Sequence, residues 1–359
     1  MKASHFPPLM SICFLLSSCA THDPTAARNA GEKHFLAHGG REWQAEVDKL
    51  GAQPKGLIWR AEGQPRAVLI CLHGIQTHSA WFGPLAEELN QQGWTVIAPD
   101  RRGSGLNSDQ PFVRGHTSGT KELLDDLEAQ ILAARREAID RPVYFLGTSW
   151  GSNLAGAYVC GPDRPKPDGL IQLVPATGVR KPHTPGLFGK LYYGAANLVA
   201  PKTKTSLKFG PRHYLAGHDQ SVIRKEGKIP PVPKNGESGP PELLESDTLV
   251  QGILRRDESP AEGALLTQPS VRTLLTGNRL NQQWHKQAKK LEQAKFPVLV
   301  ITAGHDQIMD NKAASSVFEH PGQGSIALIS IRAGHAVQIS QAAEVAQVIT
   351  RWASDRQRK

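Results

Sequence analysis

From residue 67 onward the chain alternates between two kinds of apolar pattern. Ala67-Val68-Leu69-Ile70-Cys71-Leu72 is a continuous run that stops at His73-Gly74. A run this short, with no polar residue inside it, predicts a strand buried on both faces. Between Ser79 and Gln92 the spacing changes: Phe82, Leu85 and Leu89 share one helical face, and Gly93 stops the helix. Trp94-Thr95-Val96-Ile97-Ala98, closed by Pro99-Asp100, predicts the next strand. Leu124, Leu127, Ile131 and Ala134 form the stripe of a second helix that begins after Thr120. Pro142-Val143-Tyr144-Phe145-Leu146 predicts a strand running directly into Gly147. A helix from about Trp150 and a strand at Leu170-Ile171-Gln172-Leu173-Val174 follow.

The rhythm fails after Pro175. Residues 176–293 hold scattered aromatics, a basic run and the stretch Ile229-Pro230-Pro231-Val232-Pro233. It resumes with Phe296-Pro297-Val298-Leu299-Val300-Ile301, a strand from Ile326 to Ile331, and a helix from Ser340 through Val345, Val348 and Trp352. Repeated strand–helix units with buried strands predict a mostly parallel α/β sheet flanked by helices. The closing strands need that sheet to join, so the pattern predicts one core interrupted by an insertion.

The first residues follow different rules. Lys2 precedes a short apolar stretch, Leu9-Met10-Ser11-Ile12-Cys13-Phe14-Leu15-Leu16. It is too short for a membrane span, which takes roughly 20 residues, and reads as a targeting signal. Leu16-Ser17-Ser18-Cys19 resembles the bacterial lipoprotein motif, in which the cysteine becomes acylated and N-terminal. A plain secretory signal cut near Ala20 and a cytoplasmic protein with an accidental apolar start are the alternatives. The uncharged Ala20 resembles the outer-membrane sorting pattern, so the expectation is an outer-membrane lipoprotein facing the periplasm, lipidated at Cys19 and followed by a polar tether.

Composition narrows the classes. The chain has 359 residues, 39% hydrophobic and 21% charged, which suits a globular core. The formal net charge of +9 is unevenly placed: between Arg180 and Lys228 ten Lys and Arg stand against two acids. No nucleic-acid-binding motif accompanies this run, so nucleic acid is not expected as a partner. Cys71 and Cys160 predict two buried thiols, since two cysteines are no disulfide framework.

The candidate chemistry centres on Gly147-Thr148-Ser149-Trp150-Gly151, which has the form G-x-S-x-G. There a strand turns sharply into a helix, and side chains two positions either side of the serine would collide. Ser149 is thus expected at a helix N-terminus, where free N–H groups and the macrodipole favour developing negative charge. A serine nucleophile needs a base, and the base needs an orienting acid. In α/β-hydrolases the chain order is serine, acid, histidine. The loop after strand 297–301 offers Asp306, and the loop after strand 326–331 offers His335. Asp310 rivals Asp306, but its position suits a helix cap. His305 reads as an incidental loop residue. Two backbone N–H groups should form the oxyanion site, from Trp150 after the nucleophile and from Ile75 after the first core strand. His73 reads as a brace for that loop. Neither a metal nor a cofactor is expected: His73 and His78 have no Asp, Glu or Cys nearby to complete a metal-ligand spacing.

His73-Gly74, Trp81 with Leu85 and Leu89, the stretch from Gly93 through Asp100-Arg101-Arg102-Gly103-Ser104-Gly105, and the serine motif resemble the monoacylglycerol lipase and lysophospholipase group. That group includes the proline-releasing serine aminopeptidases. The resemblance covers about residues 55–175 and 295–355. It implies the α/β-hydrolase fold with an inserted lid, Ser149 as nucleophile, Asp306 as acid, His335 as base, and Ile75 and Trp150 as oxyanion donors. Ser149-Trp150-Gly151-Ser152 resembles the prolyl aminopeptidase elbow, but His73-Gly74-Ile75-Gln76 departs from their Gly-Gly-Pro-Gly run. The expected reaction is therefore hydrolysis of an acyl ester, that of a monoglyceride or lysophospholipid, through an acyl-enzyme, with aminopeptidase activity and a non-catalytic binding or scaffold role as alternatives. The domain boundaries expected are a signal peptide at 1–18, a tether and N-terminal extension at 19–50, a core at 51–175, a lid at 176–293 and a second core part at 294–359. Leu187-Phe188, Leu191-Tyr192-Tyr193 and Leu198-Val199, flanked by lysines, form a basic amphipathic segment that suits an anionic lipid surface, the alternative being that these groups pack the lid onto the core. The lipid membrane is thus an expected partner, through acylated Cys19 and through the basic 180–228 segment.

Overall fold

The six long apolar runs pair side by side as parallel strands. The computed structural model describes residues 40–45, 53–108, 112–180, 187–205, 250 and 268–357. Strands β1 (Arg41–Gln44) and β2 (Lys55–Trp59) precede the runs, which become β3 (Ala67–Leu72), β4 (Trp94–Pro99), β5 (Val143–Thr148), β6 (Gly169–Leu173), β7 (Val298–Ala303) and β8 (Ile326–Ile331). Helices α1 (Gly83–Gln91), α2 (Thr120–Glu137) and α3 (Trp150–Cys160) connect the first half, and α4 (Leu187–Val199) and α5 (Val271–Gln293) lie between β6 and β7. Helices α6 (Asn311–Ser315), α7 (Val337–Ser340) and α8 (Ala342–Gln357) complete the chain. The described strands form one sheet in the order β1-β2-β4-β3-β5-β6-β7-β8. Pairing is antiparallel at β1–β2 and β2–β4 and parallel elsewhere. This is the α/β-hydrolase fold, with α4 as an inserted helix at the lid position.

Successive side chains of a strand point to opposite faces, so one sheet builds two cores. Val68, Ile70, Leu72 and Phe145 meet α2, α3 and α5 on one side. Leu69, Cys71, Leu146 and Ile171 meet α1 and α8 on the other. Continuous apolar runs are what such doubly covered strands require.

Two regions differ from the pattern reading. Arg41–Gln44, inside the stretch 19–50 assigned to a tether and extension, is an edge strand. With four residues and only Trp43 turned inward, it carries too little periodicity to be seen. The second difference is α5, which lies within 176–293 yet belongs to the core. Its Leu280, Trp284, Ala288 and Leu291 pack into the α2–α3 side of the sheet. Gly156 of α3 allows this closeness, since a Cβ there would stand 2.5 Å from the Trp284 ring. The expected signal peptide at 1–18, the candidate acylation site Cys19 and most of the basic 180–228 segment lie outside the described residues.

Candidate active site

Parallel registers align Leu72 with Gly147, Thr148 with Leu173 and Ala303 with Ile331. The loops that leave these strands therefore emerge on one edge of the sheet, where open α/β sheets bind ligands. Ser149 joins β5 to α3 at φ 52° and ψ −121°. A serine rarely adopts positive φ, and such strain persists only where surrounding bonds fix it. Here the Ser149 N–H donates to Leu173 O at 3.0 Å. Ser152 Oγ donates to Ser149 O at 2.5 Å and accepts the Ala176 N–H at 3.1 Å. The flanking glycines have a steric cause: a Cβ on Gly147 would lie 2.5 Å from the Gly151 carbonyl oxygen, and one on Gly151 would strike the Leu72 carbonyl.

Asp306 leaves β7 and is wholly buried. Its Oδ1 accepts the N–H groups of Ile308 and Met309, both at 2.8 Å, and its Oδ2 lies 2.8 Å from His335 Nδ1. An ionised carboxylate only accepts, so Nδ1 carries the hydrogen and Nε2 holds the basic lone pair. Asp310 is exposed and caps α6, accepting the Lys312 N–H at 3.0 Å. His305, next to Asp306 in the chain, is exposed as well. His335 follows β8 and shares with Ser149 a cavity of about 20 Å³, lined also by Gly74, Ile75, Trp81 and Gln338. That volume holds one water-sized group.

The loop after β3 runs close to the serine: a Cβ on Gly74 would sit 3.5 Å from Ser149 Cβ. Trp150 begins α3, and Ile75 lies in this loop, so their N–H groups are the candidate oxyanion donors. His73 is held on both ring nitrogens. The Arg101 N–H donates to Nε2 at 3.0 Å, so Nδ1 carries the hydrogen and donates to Gly74 O at 2.9 Å. Burial first, then the Arg101 charge, holds this imidazole well below its ordinary range and keeps it neutral.

Arg101 is the residue that sequence reasoning gave no role. Its guanidinium, pushed down to about 9 by burial and so still charged at neutral pH, reaches back into the loop after β3. The only signal was a cation at the carboxyl end of a core strand, where active-site loops arise. Gln338 was missed as well. It is buried, lines the cavity with its Oε1 unpaired, and follows His335 by three residues.

Among the described residues no group of three or more His, Cys, Asp or Glu side chains is placed to hold a metal ion. No described helix is long and apolar enough to cross a membrane. Cys71 and Cys160 are free thiols, the first buried and the second half-buried.

Comparison with known proteins adds the family. The profile described as "Serine aminopeptidase, S33" matches residues 63–335. Phospholipase YtpA of Bacillus subtilis (strain 168) is 30% identical over 168 residues, 47% of this chain and 61% of that protein. Monoglyceride lipase of Homo sapiens is 26% identical over 153 residues, 43% of this chain and 48% of that protein. The chain thus spans less than two thirds of either relative. Among solved structures, a soluble variant of monoglyceride lipase from Saccharomyces cerevisiae, in complex with a substrate analog, superposes with a TM-score of 0.62. That match covers 86% of this chain and 93% of the other at 15% identity, a likeness of fold.

Proposed function

The chain belongs to the serine aminopeptidase S33 family, and we propose that it is a serine hydrolase cleaving the acyl ester of a monoglyceride or lysophospholipid. One observation carries this reading: Ser149 at a strained elbow shares its cavity with His335, whose Nδ1 is bonded to the buried carboxylate of Asp306. The phospholipase and monoglyceride lipase relatives support the acyl-ester class.

The mechanism follows from the atoms. His335 Nε2 takes the Ser149 hydroxyl proton as Oγ attacks the ester carbonyl carbon. The Ile75 and Trp150 N–H groups stabilise the oxyanion, one such donor lowering the barrier by about 3 kcal/mol. The imidazolium gives its proton to the departing alcohol, leaving an acyl-enzyme. Water then attacks the acyl carbon and passes a proton to His335, the carboxylic acid leaves, and Ser149 regains its proton. Asp306 orients the ring and stabilises the imidazolium without taking its proton.

Lipid contact belongs to the same proposal. On α4, Leu191, Tyr192, Leu198 and Val199 are 63%, 61%, 83% and 85% exposed, an apolar face followed by Lys202 and Lys204. Such a face suits an anionic bilayer surface, and an acylated Cys19 would hold the enzyme in the bacterial envelope, facing the periplasm. Leu198→Ser with Val199→Ser, Lys202→Gln and Lys204→Gln should weaken binding to phosphatidylglycerol vesicles. Unchanged binding and unchanged activity on micellar esters would end this part. Loss of Cys19 acylation by mass spectrometry in Cys19→Ala checks the anchor.

A fluorophosphonate should label the wild type and not Ser149→Ala; absence of labelling in the folded wild type would favour the binding or scaffold role. Aminopeptidase activity has support from the family and from Ser149-Trp150-Gly151-Ser152. A panel of p-nitrophenyl acyl esters beside proline-naphthylamide decides, and turnover of the amide alone would reverse the assignment.

A further inference from the structure

Arg101 makes three hydrogen bonds that no step above uses. Its Nη1 donates to the carbonyl oxygens of His73 and Gly74 at 2.9 and 3.0 Å, and its Nη2 to that of Ile75 at 3.0 Å. These are consecutive carbonyls of the loop after β3. A peptide unit is planar and trans, so its C=O and N–H point in opposite directions. The Gly74 carbonyl and the Ile75 N–H belong to one such unit. Holding that oxygen on the Arg101 side turns the N–H to the other side.

The grip is doubled through His73. Its Nδ1–H donates to the same Gly74 oxygen, and its Nε2 accepts the Arg101 backbone N–H. The side chain of Arg101 thus holds the peptide directly, and its main chain holds it through the imidazole. A glycine at this position makes the hold necessary, because a residue without Cβ rotates its flanking peptides most freely. A flip would turn a carbonyl oxygen, not a donor, toward the cavity.

The guanidinium also touches the second donor residue. Arg101 is 8% exposed, and its guanidinium carbon Cζ lies over the Trp150 ring, 4.4 Å from the centroid. A planar fork can serve several carbonyls at fixed angles while lying flat on an indole, which a lysine ammonium cannot do. We propose that Arg101 is the positioning residue of the oxyanion site: it locks the Gly74–Ile75 peptide with its N–H toward Ser149 and braces Trp150 before substrate arrives. This rests on the serine-hydrolase reading above.

The test separates the two. Labelling and ester turnover by the wild type, lost in Ser149→Ala, examine the hydrolase reading, and their absence in the wild type would overturn both. Arg101→Lys and Arg101→Gln are then compared per site titrated to completion with fluorophosphonate, with thermal melting alongside. In both, kcat per titrated site should fall about a hundredfold, the effect of one lost oxyanion donor, with KM little changed. The Ki of a trifluoromethyl ketone, whose serine adduct carries an oxyanion, should rise by the same factor as kcat/KM falls. A merely structural role would lower the melting midpoint and the titratable fraction while sparing kcat per site. Wild-type kcat per site in either folded variant overturns the proposal and leaves the hydrolase reading standing. If neither variant folds, the wild type decides through the ¹⁵N-resolved Ile75 amide. One sharp resonance that moves downfield on ketone binding is expected. A doubled or exchange-broadened resonance in the free enzyme, reporting a rotating peptide, overturns it.

Discussion

In Asp306→Asn the side chain keeps its shape and loses one acceptor. Three N–H donors converge on the carboxylate, from Ile308, Met309 and His335, each at 2.8 Å. An amide offers one acceptor oxygen and one donor nitrogen. With its oxygen toward Ile308 and Met309, the substituted amide would keep both backbone bonds and present N–H to His335. The opposite orientation leaves two buried N–H groups facing a donor, at a cost of about 1–3 kcal/mol each, so the first orientation wins. His335 must then accept at Nδ1, and its proton moves to Nε2, the nitrogen that should act as base. The analogous change in a serine protease triad lowers kcat about 10⁴-fold, close to 5.5 kcal/mol of barrier. On a p-nitrophenyl acyl ester, kcat/KM should fall by about four orders of magnitude, with fluorophosphonate labelling slowed in parallel. The melting midpoint should change little, because both backbone bonds survive. Asp310→Asn is the control, since Asp310 is exposed and caps α6. An Asp306→Asn enzyme within tenfold of wild type would refute the tautomer argument, as would equal losses in the two variants.

Other expectations concern the core and the surface. Trp284→Ala, which empties a wholly buried site packed on Phe318 at 5.7 Å between ring centroids, should cost about 3–5 kcal/mol in urea unfolding. Gly156→Ala would press a methyl into the same indole and should cost about 1–3 kcal/mol; an unchanged midpoint would show that the α3–α5 contact yields. Burial raises the Cys71 thiol and pushes Cys160 up to about 12, so thiolate is scarce at pH 8. Iodoacetamide should spare both in the native protein and modify both in urea, read by peptide mapping, and fast native alkylation of Cys160 would contradict this. Leu198→Ser and Val199→Ser lie on an exposed face and should change stability by no more than about 0.5 kcal/mol.

The sheet was legible because its strands are covered on both faces and so read as unbroken apolar runs. The elbow was legible for a steric reason, since the approach of α3 to β3 and β5 leaves no room for side chains at Gly147 and Gly151. Asp306 and His335 stood out as polar residues directly beyond such runs, and their hydrogen bond joins positions 29 residues apart that only the β7–β8 pairing brings together. What stayed hidden has no local period. β1 is four residues long, and the reach of Arg101 to residues 73–75 depends on β3 and β4 lying side by side. The α5 stripe of Leu280, Trp284, Ala288 and Leu291 does have helical spacing, but its burial depends on Gly156, over a hundred residues earlier.

That helix sets where the chain can be divided. The loops that carry the proposed triad and oxyanion donors lie before residue 180 or after residue 296, and β6 and β7 hold each other in register from Leu170 with Val298 onward. Caps from other members of the family should therefore be exchangeable as cassettes, altering substrate choice without moving Ser149, Asp306 or His335. The downstream seam, however, belongs before Ser270 and not before β7. Ser270 accepts the Thr273 N–H at the start of α5 and lies 2.9 Å from His116 Nδ1, so a cassette ending at β7 would remove a wall of the host's own core.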